Sequence, residues 1–166
     1  MENKFIEDNF VSYEIAIKLK ELGFDEECFA GWFNYSNPSS KNNTLRCHVY
    51  KDSIYGEDAT LKNSSEIYQL SYENQKSVVA ENCTAPLYQQ VLQWLREKHS
   101  RTIVVSSFKN IDGTEIASYF ILSAEFGKIN SDKFFHSYQE ACVDAINTVI
   151  EIIIKSQTNE RKINNI

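Results

Sequence analysis

The sequence predicts an α+β fold in which an antiparallel sheet carries about three helices packed on one face, in the order α-β-β-(β)-α-β-β-α. Three segments have the apolar spacing of amphipathic helices, and a strong hairpin signal lies between the last two of them. The order of the segments contains no βαβ crossover unit. We therefore expect antiparallel pairing, with the helices gathered on one side of the sheet.

The first predicted helix covers residues 11–22. Its apolar residues recur at the spacing of one helix face: Val11, Ile15, Leu19, Leu22. Ser12 stands where an N-cap is expected, because its hydroxyl can accept a hydrogen bond from a free backbone N–H of the first turn. Gly23 follows the last turn, where a left-handed residue commonly ends a helix. Both ends of this helix are therefore marked in the sequence.

Three strands are predicted after this helix. Residues 28–35 are rich in aromatic side chains and run into a Ser-Asn-Pro-Ser-Ser loop, a pattern typical of a strand and its end. Leu45, Cys47 and Val49 alternate with more polar residues, which predicts a half-buried strand. A further short strand is predicted over residues 67–72.

The second predicted helix begins at Thr84 and runs to about Lys98. Thr84 is expected to be the N-cap, and Pro86 falls in the first turn, where the missing N–H costs no helical hydrogen bond. A broad apolar face follows: Leu87, Val91, Leu92, Trp94, Leu95.

A hairpin and a closing helix complete the predicted fold. The dipeptide Asp112-Gly113 separates two β-rich runs, residues 101–108 and 114–126, and this arrangement predicts a tight turn. Ser137 and Glu140 have the S-x-x-E spacing of a capping box, so the last helix is expected to start there. Its apolar face comprises the following residues: Cys142, Ala145, Ile146, Val149, Ile150, Ile153.

The chain is expected to form one α+β domain over residues 1–155. Within it, residues 36–77 form a polar insertion, and residues 156–166 form a polar, frayed tail. No apolar run approaches the ~20 residues needed to cross a bilayer. The first residues lack the apolar centre of a signal peptide, so we expect a cytoplasmic protein with no membrane partner.

Charge and cysteine usage exclude several classes of function. The net charge of −6 repels phosphate backbones, which disfavours non-specific nucleic-acid binding. The four cysteines are scattered and lack the close C-x-x-C pairs of a zinc site, so they are expected to be reduced thiols that hold no metal. No motif for a cofactor or a catalytic mechanism is present. We therefore expect no enzyme, and an enzyme of unknown type is only a remote alternative.

The first candidate binding residues are the aromatic side chains Trp32, Phe33 and Tyr35. On an extended strand Trp32 and Asn34 point to one face, and Phe33 and Tyr35 point to the other. A large indole beside a polar amide is an unusual neighbour in a dry core, so Trp32 is predicted to anchor a protein interface. In the alternative, the insertion at residues 36–77 folds back and covers these aromatic rings.

Two cationic sets are further candidates. Arg46 and His48 lie beside Tyr50, and together they could orient a protein partner or hold a nucleotide-like anion against an aromatic ring. The alternative is the exposed side of a half-buried strand. The second set is Arg96, Lys98, His99 and Arg101, which could receive a phosphate or an acidic partner. Their alternative role is to compensate the dipole at the end of a helix.

Two long segments of the chain stand out: NFVSYEIAIKLKELGFD, residues 9–25, and CTAPLYQQVLQWLREKH, residues 83–99. Both resemble a family of small uncharacterised proteins encoded by phages and prophages of gut anaerobes. The segment SYQEA at residues 137–141 is similar to the closing helix of that family, whereas residues 36–77 depart from it. The resemblance implies a phage setting, and hence the host cytoplasm, but it transfers no catalytic residue.

Two functions are compatible with these observations. The first is a non-enzymatic phage accessory protein that binds a host or phage protein, for example to interfere with host defence. The second is a protein that binds or sequesters a small nucleotide-like ligand, for which Arg46, His48 and Tyr50 would supply the contacts.

Overall fold

The computed structural model describes residues 8–34, 43–47 and 83–163, which form three helices and two three-stranded antiparallel sheets. The helices are α1 (Tyr13–Glu21), α2 (Tyr88–His99) and α3 (Tyr138–Ile163). The strands are β1 (Ala30–Asn34), β2 (Asn43–Cys47), β3 (Cys83–Thr84), β4 (Arg101–Lys109), β5 (Glu115–Ser123) and β6 (Gly127–Asn130). The predicted α+β class is confirmed, but the strands are divided between two sheets. The chain separates into two compact units, Met1–Leu87 and Tyr88–Ile166.

Helix α1 of the first unit begins and ends where the sequence indicates. The Ser12 hydroxyl accepts a hydrogen bond from the Ile15 backbone N–H at 3.4 Å, so Ser12 is the N-cap. Gly23 has a φ of +91°, the left-handed conformation that ends many helices. The predicted apolar face is buried at Ile15 and Leu19.

The first sheet has the order β2-β1-β3, with β1 at its centre. Strand β1 lies within the predicted segment 28–35, and β2 overlaps the second predicted strand at residues 45–47 but begins two residues earlier, at Asn43. Trp32 of β1 pairs with Leu45 of β2. The described residues do not include Val49 or the predicted strand at 67–72. Of the polar insertion at 36–77, they include only β2.

The predicted start of the second helix at Thr84 is wrong. Thr84 is a buried residue of β3 and pairs with Gly31. The Pro86 carbonyl oxygen accepts a hydrogen bond from the Val11 backbone N–H at 3.0 Å, and Leu87 forms an isolated β-bridge with Phe10. Because these backbone groups are used in sheet pairing, α2 can begin only at Tyr88.

The second sheet has the order β4-β5-β6, and its first two strands form the predicted hairpin. The Asn110 backbone N–H donates to the Thr114 carbonyl oxygen at 2.8 Å, which closes a three-residue loop. Gly113 ends this loop with a φ of +83°, the left-handed position that such hairpins need. Asp112 accepts a hydrogen bond from the Thr114 N–H at 2.9 Å and further rigidifies the turn.

The β-rich run predicted over 114–126 is two strands, because the chain turns after Ser123. The Ser123 hydroxyl accepts hydrogen bonds from the backbone N–H groups of Glu125 and Phe126, and Gly127 has a φ of +70°. Strand β6 then returns along β5, with Ile129 opposite Ile121.

Helices α2 and α3 pack together on one face of the second sheet. Both contact β4, they contact one another, and α3 also contacts β5. The predicted apolar face of α3 is buried at every position: Cys142, Ala145, Ile146, Val149, Ile150, Ile153. Alternate residues of β5 are buried as well: Ala117, Tyr119, Ile121, Ser123. This arrangement confirms the predicted packing of helices on one sheet face for this unit.

Helix α3 extends to Ile163, beyond the end near residue 155 that its polar composition predicts. No Gly or Pro follows Ser156 within the helix, and the polar residues there are mostly compatible with helical conformation. Polar composition therefore marks the end of the buried face rather than the end of the helix.

Replacing Ser137 by Ala tests the start of α3. The Ser137 hydroxyl accepts from the Glu140 backbone N–H at 3.1 Å, and the Glu140 carboxylate accepts from the His136 N–H at 3.0 Å. We expect Ser137→Ala to lower the free energy of unfolding by about 1 kcal/mol. Glu140→Ala should cost less, since Ala has the higher helix propensity and offsets part of the lost hydrogen bond. An unchanged denaturation midpoint for Ser137→Ala would contradict this assignment of the cap.

Candidate functional site

Trp32, the predicted interface anchor, is half-buried against the core of the first unit. Its ring packs against a cluster formed by Phe10, Ala30 and Ala85. The indole Nε1 donates a hydrogen bond to the Val11 carbonyl oxygen at 3.0 Å. The polar end of the side chain is therefore satisfied inside the unit, and this geometry supports a structural role for Trp32.

The other residues predicted around Trp32 are only partly covered by the described structure. Phe33 lies on β1 opposite Thr44, and Arg46 lies on β2 opposite Gly31. Tyr35, His48 and Tyr50 lie outside the described residues. The binding roles of these residues stay predictions.

The cationic end of α2 is smaller than the sequence suggests. Arg96 and Lys98 are exposed in the last turn of α2, where positive charge suits the helix dipole. Arg101, however, is buried, and its guanidinium forms an ion pair with the Glu125 carboxylate at 2.6 Å. Arg101 is therefore neutralised within the unit and does not add to an open cationic surface.

A largely apolar surface lies on the side of the second sheet that faces away from α2 and α3. We call it the outer face. Its side chains come from alternate positions of β4 and β5 that lie directly opposite one another: Thr102 and Leu122, Val104 and Phe120, Ser106 and Ser118, Phe108 and Ile116. Phe108 is 56% exposed and Leu122 is 42% exposed. The Lys128 ammonium lies 4.4 Å from the centre of the Phe120 ring, at the border of this face.

The outer face is not among the predicted sites, although the sequence contains a signal for it. Ile103 and Val105 alternate with Val104 on β4, and Ile121 lies between Phe120 and Leu122 on β5. Apolar residues at both odd and even positions are typical of a strand that is covered on both sides. In the described part of the chain, helices cover one side only, and the other set of apolar residues lies on the opposite side.

An open groove of about 430 Å³ runs along the second unit beside α3. Its lining is apolar at Phe135 and Val143 and polar at four further residues: Gln139, Glu140, Asp144, Asn147. The carboxylates of Glu140 and Asp144 give this groove a negative border. It is therefore poorly suited to a nucleotide or another small anion.

The Asp144 carboxylate is already used by neighbouring side chains. The Tyr119 hydroxyl donates to Oδ2 of Asp144 at 2.7 Å, and the Lys133 ammonium lies 3.0 Å from Oδ1. Burial raises the pKa of Tyr119, so its hydroxyl stays protonated and remains a donor. The arrangement holds the loop before α3 against the sheet and leaves no ionised phenol for catalysis.

The described cysteines behave as small apolar core residues. Cys28, Cys83 and Cys142 are buried and form no disulfide. Burial raises the pKa of Cys28 to about 12 and that of Cys142 to about 11. Both thiols are therefore protonated at neutral pH and are weak nucleophiles.

Comparisons of the chain with family models, with curated proteins and with solved structures find no match. Among the described residues, no helix has the length and apolar character needed to cross a membrane.

Substitution of Trp32 separates its structural role from the predicted anchor role. Trp32→Ala is expected to lower the free energy of unfolding by about 3 kcal/mol, because it removes a packed ring. Trp32→Phe keeps an aromatic ring but removes the hydrogen bond to Val11, and it should cost about 1 kcal/mol. Chemical denaturation measures both values. A Trp32→Ala protein of unchanged stability that no longer binds its partner would instead support the anchor role.

His99 should make stability depend on pH. Burial and the nearby Arg101 lower the pKa of His99 from 6.5 in the folded protein, and its ring lies 4.6 Å from that of Trp94. On acidification the unfolded chain therefore takes up the proton first. The free energy of unfolding decreases for this reason as the pH falls through about 6.5. His99→Phe keeps an aromatic ring that cannot titrate. The free energy of unfolding of the wild type should fall relative to that of His99→Phe as the pH is lowered. Parallel curves of this free energy against pH would contradict the assignment.

Proposed function

We propose that the protein acts by binding another protein through the outer face of the β4-β5-β6 sheet. The observation that carries the proposal is the exposure of large apolar side chains, above all Phe108 and Leu122, on a sheet face that α2 and α3 do not cover. Large apolar side chains that are exposed on one sheet face often mark an interaction site.

The composition of the outer face also supports a protein partner. Val104, Phe108, Phe120 and Leu122 supply apolar and aromatic contact area. Lys128 and Asn130 lie on the same side at β6 and supply a polar border. An apolar centre with a polar rim is the usual composition of a protein interface. A binding face of this kind requires no catalytic group.

The biological setting of the proposal comes from the resemblance of residues 9–25 and 83–99 to phage and prophage proteins. On that basis we propose a phage accessory protein that works in the host cytoplasm. Its partner would be a host or phage protein, and interference with host defence is the role that such a setting suggests.

The alternative, a protein that binds a nucleotide-like ligand, gains no support from the described groove, whose border is acidic. It rests on Arg46, His48 and Tyr50, as predicted from the sequence.

Two substitutions, at side chains that are equally exposed in the wild type, test the outer face. Leu122 and Ile154 are each 42% exposed, but Ile154 lies on α3 rather than on the outer face. A partner captured from host extract is first identified and purified, and its affinity is then measured for each variant. Leu122→Glu should weaken binding by about 2 kcal/mol, roughly thirtyfold, because it places an unpaired charge in an apolar contact. Ile154→Glu is the matched control.

Both variants should keep an unfolding midpoint close to that of the wild type, since each replaced side chain is partly solvated already. Equal affinity of the partner for Leu122→Glu and for the wild type would exclude the outer face as its binding surface.

A further inference from the structure

Within the described part of the chain, one edge of the second sheet has no strand beside it. Strand β4 occupies this edge, and among the described strands it pairs with β5 alone. The Asn110 N–H donates to Thr114 across the hairpin, and hydrogen-bonded pairs alternate along an antiparallel ladder. The backbone groups of even-numbered β4 residues therefore face β5. Those of the odd-numbered residues face outward: Arg101, Ile103, Val105, Ser107, Lys109. Among the described residues, no backbone hydrogen bond reaches this edge.

The β4 edge lacks the features that usually keep an edge strand single. It is nine residues long, whereas β6 at the opposite edge has four. Its pairing with β5 is continuous from Arg101 to Lys109, without a bulge, and it contains no proline. Arg101 is turned toward Ser123 and Glu125, which leaves Lys109 as the exposed charge of the strand. Long and weakly charged edges readily pair with another strand.

We propose that β4 pairs with β4 of a second copy, so that the protein is a two-fold symmetric dimer with a continuous six-stranded sheet. A two-fold axis at Val105 places this residue opposite Val105 of the partner subunit. Ile103 then lies opposite Ser107 of the partner subunit, and Arg101 lies opposite Lys109 of the partner subunit. In this register every outward residue meets an outward residue, so all the free N–H and C=O groups of the edge form hydrogen bonds.

In the same register, each end of the paired strands brings two cations, Arg101 and Lys109 of the partner subunit, beside one carboxylate, that of Glu125. Glu125 binds Arg101 through Oε2, and its carboxylate is 53% exposed. Lys109 of the partner subunit reaches this end of the strand, where its ammonium can share the charge of Glu125. An extended segment of an unrelated protein is not expected to have the same length and to place a cation near Glu125. A second copy is therefore the occupant that the observations favour.

The dimer goes beyond the proposed function and does not depend on it. A two-fold axis perpendicular to the sheet leaves both outer faces on the same side. It would join them into one larger surface, available to the same partner or to two copies of it.

Light scattering during gel filtration, over a range of protein concentrations, tests the dimer. The wild type should show a mass twice 19.2 kDa. Val105→Pro removes the N–H at the axis without removing a hydrogen bond to β5, because that N–H faces outward. Two intersubunit hydrogen bonds are then lost. Each is worth about a factor of ten in affinity, so the dissociation constant should rise about a hundredfold.

Asn130→Pro is the matched control on the opposite edge. The Ser131 N–H donates to the Tyr119 carbonyl oxygen, so by alternation the Asn130 N–H also faces away from its sheet. This variant should dimerise as the wild type does. A wild type of 19.2 kDa at every concentration, or a Val105→Pro protein with an unchanged dissociation constant, would overturn the proposal.

Amide hydrogen exchange provides a second measurement that requires no variant. In the dimer, the outward amides of Ile103, Val105 and Ser107 should exchange more slowly than those of Lys128 and Asn130 on β6. Dilution below the dissociation constant should abolish this difference. A monomer with fast exchange would show a free edge, and a monomer with slow exchange would show an edge covered by the same chain. Either result overturns the dimer and leaves the Leu122→Glu test of the proposed function unaffected.

Discussion

The burial of the apolar face of α3 against β5 is the interaction on which the second unit depends. Six side chains of α3, from Cys142 to Ile153, are removed from solvent, and β5 contributes Ala117, Tyr119 and Ile121 to the same layer. Removing a large aliphatic side chain from water is worth roughly 1.5 to 3 kcal/mol, which exceeds the contribution of any single hydrogen bond on the surface of the unit. The polar contacts around Asp144 and Ser137 then fix where the helix lies and where it begins. They refine an arrangement that apolar burial has already selected.

Local signals in the sequence are sufficient to predict an element boundary where one residue determines the backbone conformation. Ser12, Gly23, Gly113 and Ser137 each act through their own hydroxyl or their own tolerance of positive φ, and the elements they delimit lie where predicted. Thr84 shows the opposite case. Its residue type suits an N-cap, but pairing with Gly31 uses its backbone, and nothing near Thr84 in the sequence reports on a strand more than fifty positions earlier. Tertiary pairing therefore outweighs local preference there.

The candidate site was harder to predict than the fold for the same reason. Whether a side chain is buried depends on what lies across from it, and composition does not supply that information. Trp32 is an example. Its polar neighbour Asn34 suggested a place outside the core, yet the ring packs inward and its indole N–H donates to the Val11 carbonyl oxygen, 21 positions away in the chain. Arg101 is another example. It was grouped with Arg96 and Lys98 as an exposed cation, yet the turn after Ser123 brings Glu125 against it.

The two proposed interaction surfaces have one structural origin, which is that the described residues cover β4 incompletely. Helices α2 and α3 cover one face of this strand, and β5 covers one of its edges. The other face keeps the apolar side chains of Val104 and Phe108, and the other edge keeps the outward backbone groups of Ile103, Val105 and Ser107. Apolar side chains gain most from a partner with an apolar surface, whereas unpaired backbone groups gain most from another strand. The two surfaces are thus chemically distinct, and one strand can carry both a self-association edge and a face for a different protein.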